Sequence, residues 1–268
     1  MASKSRITVT ELSAMKSRSE RISCLTVYDY SFAHILDEAG VEILLVGDSL
    51  GMVIQGHETT LPVSMHDVMY HTQCVSRACR NALVIADMPF GSFQESPQSA
   101  FENAACLLGQ GGAHMVKIEG GAVMAPTVSF LVERGIPVCG HLGLTPQSVN
   151  QFGGFRVQGR QESTAEQLRR DARSLDEAGA SLLILEAIPS DLAKDITESV
   201  SAPTIGIGAG PDTDGQVLVL YDLLGIYAKK SPKFSKNFLE GKGSVADAVR
   251  AFVEDVRAGR FPGPEHSF

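Results

Sequence analysis

Short runs of apolar, largely β-branched residues recur along the chain at 24–28, 43–46, 83–86, 115–118, 138–140, 182–185, 204–207 and 217–220. Each run is apolar at nearly every position instead of alternating with polar residues. Strands of that kind are buried on both faces, as in a parallel sheet covered by helices. Segments with helical periodicity follow most of them, at 31–39, 65–79, 97–108, 125–134, 165–178 and 191–200. Ser64 and Ser96 stand at N-cap positions, Pro97 opens its helix at the first helical position, and Gly40 and Gly179 stand where helices close before a strand. Eight strands interleaved with helices over 268 residues predict an α/β fold, a single-domain (β/α)8 TIM barrel. A doubly wound open sheet is the alternative. The eighth run follows the seventh with almost no helix between them.

The domain is expected to span residues 1–268, with an N-terminal extension over about 1–20 and a helical tail over about 232–268. The tail's amphipathic segment, 245–257, is expected to pack on the barrel's underside or on a neighbouring subunit. Two connections, 49–64 and 142–162, are long and glycine-bearing, which in a compact barrel marks lids or interface elements.

Charge narrows the function. Twenty-three Lys and Arg against thirty-one Asp and Glu leave a net charge of −8, a poor match for nucleic acid. No apolar stretch is long enough to span a membrane, and the N-terminal residues lack the apolar core of a secretory signal. Cysteines 24, 74, 79, 106 and 139 are odd in number and contain no C-x-x-C pair. They read as reduced thiols of a cytoplasmic protein.

The strand ends carry the chemistry. In such a barrel the active site forms at the carboxyl ends of the strands. There the chain places Asp29, Asp48, Asp87, Lys117 with Glu119, His141 and Glu186, on six consecutive strands. Carboxylates converging on one mouth repel unless a cation joins them. Asp48, Asp87 and Glu119 offer oxygen ligands only, which suits Mg²⁺ over zinc. Mg²⁺ takes few protein carboxylates, so one remains free for proton transfer. Glu186 follows the apolar run SLLIL, where desolvation would raise its pKa towards a general base's range. Plainer roles stand beside these. Asp48 and Asp87 could cap turns, Glu119 could be a solvated loop residue, Glu186 an ion-pair partner, His141 a core histidine and Asp29 a helix cap. Lys117, between Val116 and Ile118, faces either the barrel interior or the helices. The run Gly206-Ile-Gly208-Ala-Gly210 reads as a phosphate cradle or a tight turn. The lysines at 229, 230, 233 and 236 read as a solvated face or a landing patch for an anionic tail.

Longer motifs add a resemblance. VGDSLGMVIQGHETTLPV, IADMPFGSF, FENAACLL, MVKIEGG, VCGHLGLTPQSVNQFGGFRVQGR, LLILEAIP, IGIGAG and PKFSKNF resemble the ketopantoate (3-methyl-2-oxobutanoate) hydroxymethyltransferase family, from about residue 24 to the terminal EHSF. The resemblance implies a barrel of the phosphoenolpyruvate mutase and isocitrate lyase superfamily. It implies hydroxymethyl transfer from 5,10-methylenetetrahydrofolate to 3-methyl-2-oxobutanoate, giving 2-dehydropantoate and tetrahydrofolate in pantothenate and coenzyme A biosynthesis. The path it implies runs through an enolate stabilised by Mg²⁺, one per subunit. Asp48, Asp87 and Glu119 match the family's metal positions; Asp48, Ser49, Asp87 and Lys117 match its keto-acid contacts; Glu186 matches its proton acceptor. His141 is an auxiliary candidate, in proton handling or folate binding. Small-molecule substrates and a homo-oligomer, a decamer, are implied as well. The rival within enzymes is a Mg²⁺-dependent carbon–carbon lyase or mutase acting on another 2-oxo acid, without folate. Outside enzymes it is a non-catalytic binding barrel.

Overall fold

In the computed structural model, which describes residues 6–227 and 231–268, eight parallel strands close on themselves in chain order. They are β1 (Ile22–Thr26), β2 (Ile43–Val46), β3 (Leu83–Asp87), β4 (Met115–Glu119), β5 (Val138–Gly143), β6 (Leu182–Glu186), β7 (Thr204–Ile207) and β8 (Gly215–Leu218). Pairing of Ile22 with Gly215 and of Leu25 with Leu218 completes the ring and excludes the open sheet. Lys229 and Lys230 of the lysine run lie outside the described residues.

The helices are α1 (Val9–Ser17), α2 (Tyr30–Glu38), α3 (Leu50–Val53), α4 (Met65–Ala78), α5 (Pro97–Gly109), α6 (Ala125–Val132), α7 (Val149–Phe152), α8 (Glu162–Glu177), α9 (Ser190–Ser199), α10 (Leu220–Leu223) and α11 (Val245–Arg257). Ser64 caps α4 reciprocally with Asp67, and Ser96 caps α5. Asp29 accepts from the amides of Ser31 and Phe32, so it is the N-cap of α2. A turn without a helix joins β7 to β8, as the sequence spacing predicts.

Strand limits differ from the predicted ones where apolarity and pairing part company. Val27 and Tyr28 are buried but lie beyond β1. Beyond the predicted end of β5, His141, Leu142 and Gly143 still pair with β6, although glycine and histidine are weak strand signals. Successive side chains point alternately inward and outward. Ile43, Leu45, Leu83, Ile85, Met115, Cys139, Leu182, Ile184, Ile205 and Val217 fill the barrel interior. Leu44, Val46, Val84, Val116, Leu183 and Leu185 belong to the layer under the helices.

The two ends of the chain do more than the predicted extension and tail suggest. Leu12 and Met15 of α1 join the interior cluster, so this helix plugs the barrel floor. Its Lys16 donates to the carbonyls of Thr197 and Ala202 and pairs with Asp214 at 3.0 Å. Helix α11 packs on β1 and α2, on the barrel's flank and not its underside. Val249, Phe252, Val253 and Val256 are buried there, each contributing about 1.5–3 kcal/mol. Phe238, Phe252 and Phe261 meet edge to face behind them. The amphipathic face is thus used within the chain, in the place of the barrel's eighth helix.

Candidate active site

Following each inward row upward places the charged residues. Ile85 leads two positions on to Asp87, Met115 to Lys117 and then Glu119, Cys139 to His141, and Ile184 to Glu186. Lys117 therefore faces the barrel interior. Register keeps the layer level: Asp87 is opposite Lys117, and Glu119 is opposite His141. Asp48 joins from the turn after β2.

Contacts link these groups across the mouth. The Asp48 amide donates to Asp87 Oδ2 at 2.9 Å. Lys117 Nζ lies 3.1 Å from Asp87 Oδ1, 3.5 Å from Glu119 Oε1 and 3.2 Å from His141 Nδ1. Glu119 Oε1 is 3.2 Å from His141 Nδ1, and His141 Nε2 is 3.2 Å from Glu186 Oε2. Ser49 Oγ is 2.9 Å from Tyr28 Oη, which donates to Thr26 Oγ1. Gly47 makes room for this, because a Cβ there would stand 2.7 Å from Ser49 Oγ.

Burial and mutual charge set the protonation. Burial, reinforced by Asp87 and Glu119, pushes the Asp48 carboxyl up to about 8. Burial also raises Asp87, against the pull of Lys117. For Glu119 burial works upward, but Lys117 and His141 outweigh it and the pKa falls. Burial and Lys117 both depress His141, yet its contacts with Glu119 and Glu186 win and carry it up to about 9. Burial disfavours the Lys117 cation, but Asp87, Glu119 and Asp48 hold it firmly protonated.

Glu186 differs from the expectation of a desolvated base. Its side chain is 15% exposed, against 3–4% for Asp87, Lys117, Glu119 and His141. Ala187, next in the chain, has a left-handed φ of 48°, a strained conformation for a residue with a side chain. Gly143 fixes the same corner, since at φ 91° a Cβ would come within 2.2 Å of the Glu186 carbonyl oxygen.

Sequence reasoning missed Gln147, just past β5 in a short turn, Pro146–Ser148. Its side chain donates to Asp48 Oδ2 and to the Met88 carbonyl, both at 3.0 Å, and its amide donates to Glu119 Oε2 at 2.9 Å. Its one available signal was its place after Thr-Pro in a loop already marked as long. The loop readings hold in part: Met52, Glu58, Thr60, Phe155 and Val157, from both long connections, line the cavity above the charged layer. That cavity measures about 570 Å³. Gly208 is pressed by Phe234 and Phe268, from each of which a Cβ would be 2.9 Å away. The rings fill the space above this turn, so the tight-turn reading stands over the phosphate cradle. Lys233 lines the cavity, whereas Lys236 pairs with Asp255 at 3.1 Å.

A divalent cation suits the donor set on one side. Asp48 and Asp87 present oxygens from neighbouring strand ends, and buried Asp87 Oδ1 has no hydrogen-bond partner. Burial raises both carboxyls even with Lys117 3.1 Å from Asp87, a cost that a bound cation would offset. Glu119 instead turns one oxygen to Gln147 and the other to Lys117 and His141. Among the described residues no three acidic, His or Cys side chains form a ready metal cage. Mg²⁺ needs none, because it binds through one or two carboxylates and keeps water or substrate in its other places.

The sequence profile described as ketopantoate hydroxymethyltransferase matches residues 6–264. The chain belongs to this family. The 3-methyl-2-oxobutanoate hydroxymethyltransferase of Chromobacterium violaceum is 60% identical over 263 residues, covering 98% of this chain and 100% of the relative. That of Thiobacillus denitrificans is 58% identical over 262 residues, covering 98% and 99%. Among solved structures, a phosphonopyruvate hydrolase superposes with a TM-score of 0.61 at 12% identity, covering 81% of this chain and 83% of its own. A phosphoenolpyruvate phosphomutase from Streptomyces platensis gives 0.60 at 11% identity, with 81% and 83% covered. At such identities these two carry the barrel fold alone. In this ketopantoate hydroxymethyltransferase barrel, the runs VGDS, ADMPF, KIEGG, CGHLG and LILEA deliver the residues of the charged layer.

Proposed function

We propose that this hydroxymethyltransferase uses 5,10-methylenetetrahydrofolate and water to convert 3-methyl-2-oxobutanoate into 2-dehydropantoate and tetrahydrofolate, a step of pantothenate biosynthesis. The observation that carries this reading is the line from Lys117 through His141 to Glu186 at the base of one cavity, beside Asp48 and Asp87. Asp48 and Asp87 would hold one Mg²⁺, with Glu119 completing the acidic wall behind Lys117. Bound there, the metal supplies Lewis-acid polarisation of the keto acid's carbonyl. Ser49 and Lys117 bind the keto acid, and the Lys117 ammonium faces the oxygen on which negative charge grows. Glu186 accepts the C3 proton. His141, 3.2 Å away, orients that carboxylate. C3 then bonds to the methylene carbon, both bonds from that carbon to the folate nitrogens break, water supplies the hydroxyl, and the C3 proton and water's second proton end on those nitrogens.

Proton NMR of the purified protein tests the reading. The expected result is 2-dehydropantoate made only with folate and lost in excess EDTA. Turnover of another 2-oxo acid without folate would install the lyase or mutase instead. Full activity in EDTA would remove the metal.

Gln147→Ala should keep the fold but release Asp48. We expect Mg²⁺ half-saturation to rise by about 10–100-fold, the usual effect of losing a residue that orients a metal ligand. An activity titration that superposes on wild type would refute the role.

Self-association, as a decamer, belongs to the same proposal. Tyr70, Phe90 and Val123 expose 59%, 53% and 77% of their surface, apolar area that a neighbouring copy would cover. Sedimentation velocity at micromolar concentration should give a particle well above a dimer; a 28.6 kDa species would end the idea. All five cysteines are free thiols, which suits a reducing cytoplasm.

A further inference from the structure

The cavity holds a second group of polar atoms that the chemistry above does not use. Thr60 Oγ1, Asp222 Oδ1 and Tyr227 Oη are buried and have no hydrogen-bond partner among the described residues, and all three residues line the cavity. Thr60 is 2% exposed and Asp222 6%. Thr60 follows β2 and Asp222 follows β8, the two strands that flank β1. They therefore share the side of the mouth around β1, separated from Glu186 on β6 by at least β7. Leaving a buried polar atom unsatisfied costs about 1–3 kcal/mol, more when it is charged. Burial alone pushes the Asp222 carboxyl up, to about 6. These atoms fit a partner that arrives with the substrates.

We propose that Asp222, supported by Thr60 and Tyr227, recognises the N–H edge of the flat nitrogen heterocycle of the one-carbon donor. The inference rests on the function proposed above, in which that ring is the pterin. A carboxylate only accepts hydrogen bonds, so its partner must donate. The keto acid has no N–H group and carries a negative charge, so it cannot satisfy Asp222. The pterin's 2-amino-4-oxopyrimidine edge presents two parallel N–H donors to a carboxylate, with a ring carbonyl beside them for a hydroxyl. The surrounding wall suits a flat ring too, because Phe155, Phe234 and Phe268 line the same cavity. A space of about 570 Å³ takes a drug-sized ligand and far exceeds a five-carbon keto acid.

The test compares Michaelis constants for the two substrates in wild type and Asp222→Asn, with tetrahydrofolate binding measured in parallel. The KM for methylenetetrahydrofolate should rise about 10–100-fold, as expected for losing hydrogen bonds to a charged group. The KM for the keto acid should move far less. A 2-desamino-2-methyl folate analogue, which lacks one donor, should bind wild type more weakly than the natural ring and should bind Asp222→Asn no more weakly than wild type. That analogue comparison in wild type, and Thr60→Val, decide the matter should Asp222→Asn fold poorly. Folate-dependent product with an unchanged folate KM in Asp222→Asn overturns this inference alone. So does an equal rise in both constants, which would make Asp222 part of the keto-acid site or of the fold. A wild type that neither binds tetrahydrofolate nor makes folate-dependent product overturns the proposed function and this inference with it.

Discussion

Glu186→Gln should slow the exchange of the C3 hydrogen of 3-methyl-2-oxobutanoate with D₂O by about 10²–10⁴-fold, the usual loss when a general base is removed. The exchange needs no folate, because proton removal precedes the new carbon–carbon bond. The amide preserves the shape of the side chain and can still meet His141 Nε2, 3.2 Å from the present carboxylate oxygen. It cannot take a proton from carbon at a useful rate. Keto-acid affinity should survive, since Ser49, Lys117, Asp48 and Asp87 are untouched. Undiminished exchange would move the base elsewhere, with His141 the next residue to change.

Lys117→Met should cost about 3–5 kcal/mol of stability, the range for stripping one partner from a buried ion pair. Nζ is the cation 3.1 Å from Asp87 and 3.5 Å from Glu119, all with side chains 3–4% exposed. Without it, Asp87 remains buried beside Asp48 with no cation, and Glu119 keeps only His141. The Asp87 carboxyl, already raised by burial, should then rise further, and Glu119 should lose the downward pull of Lys117. A carboxyl shifted that way favours folding while protonated and opposes it as pH rises through the unfolded value towards the folded one. The deficit should therefore be largest at neutral pH and shrink on acidification, in melts run with EDTA. Adding Asp87→Asn to Lys117→Met should recover part of the stability and none of the turnover. A melting temperature equal to wild type at every pH would contradict the ion-pair account.

The barrel was legible because its strands are short, uniformly apolar and spaced by helices. That uniformity also hid which way each residue faces. The apolar neighbours Val116 and Ile118 left Lys117 ambiguous, and the step from interior Met115 to Lys117 resolves it. Asp87, Glu119, His141 and Glu186 stood out as charges ending apolar runs. Gln147 carries no charge and ends no strand, so nothing in its residue type announced that it ties Asp48 to Glu119. Asp222 was masked by the apolar stretch VLVLYDLLG, in which the predicted eighth strand ran two residues too far. The role of α1 was unreadable for another reason: nine residues with weak amphipathicity gain their meaning from a floor built by strands far along the chain.

The seam between β1 and β8 joins the first strand to the last. Strand β1 has no second neighbouring strand until β8 has been synthesised, and α11, which covers β1, leaves the ribosome later still. Through most of translation the nascent chain must carry an open, curling sheet whose β1 edge is bare. Non-local closure of this kind is slow and leaves apolar surface open to aggregation. Substitutions along the seam, in Cys24, Leu25, Val217 or Leu218, should therefore lower the yield of folded protein in the cell more than they lower the stability of protein already folded.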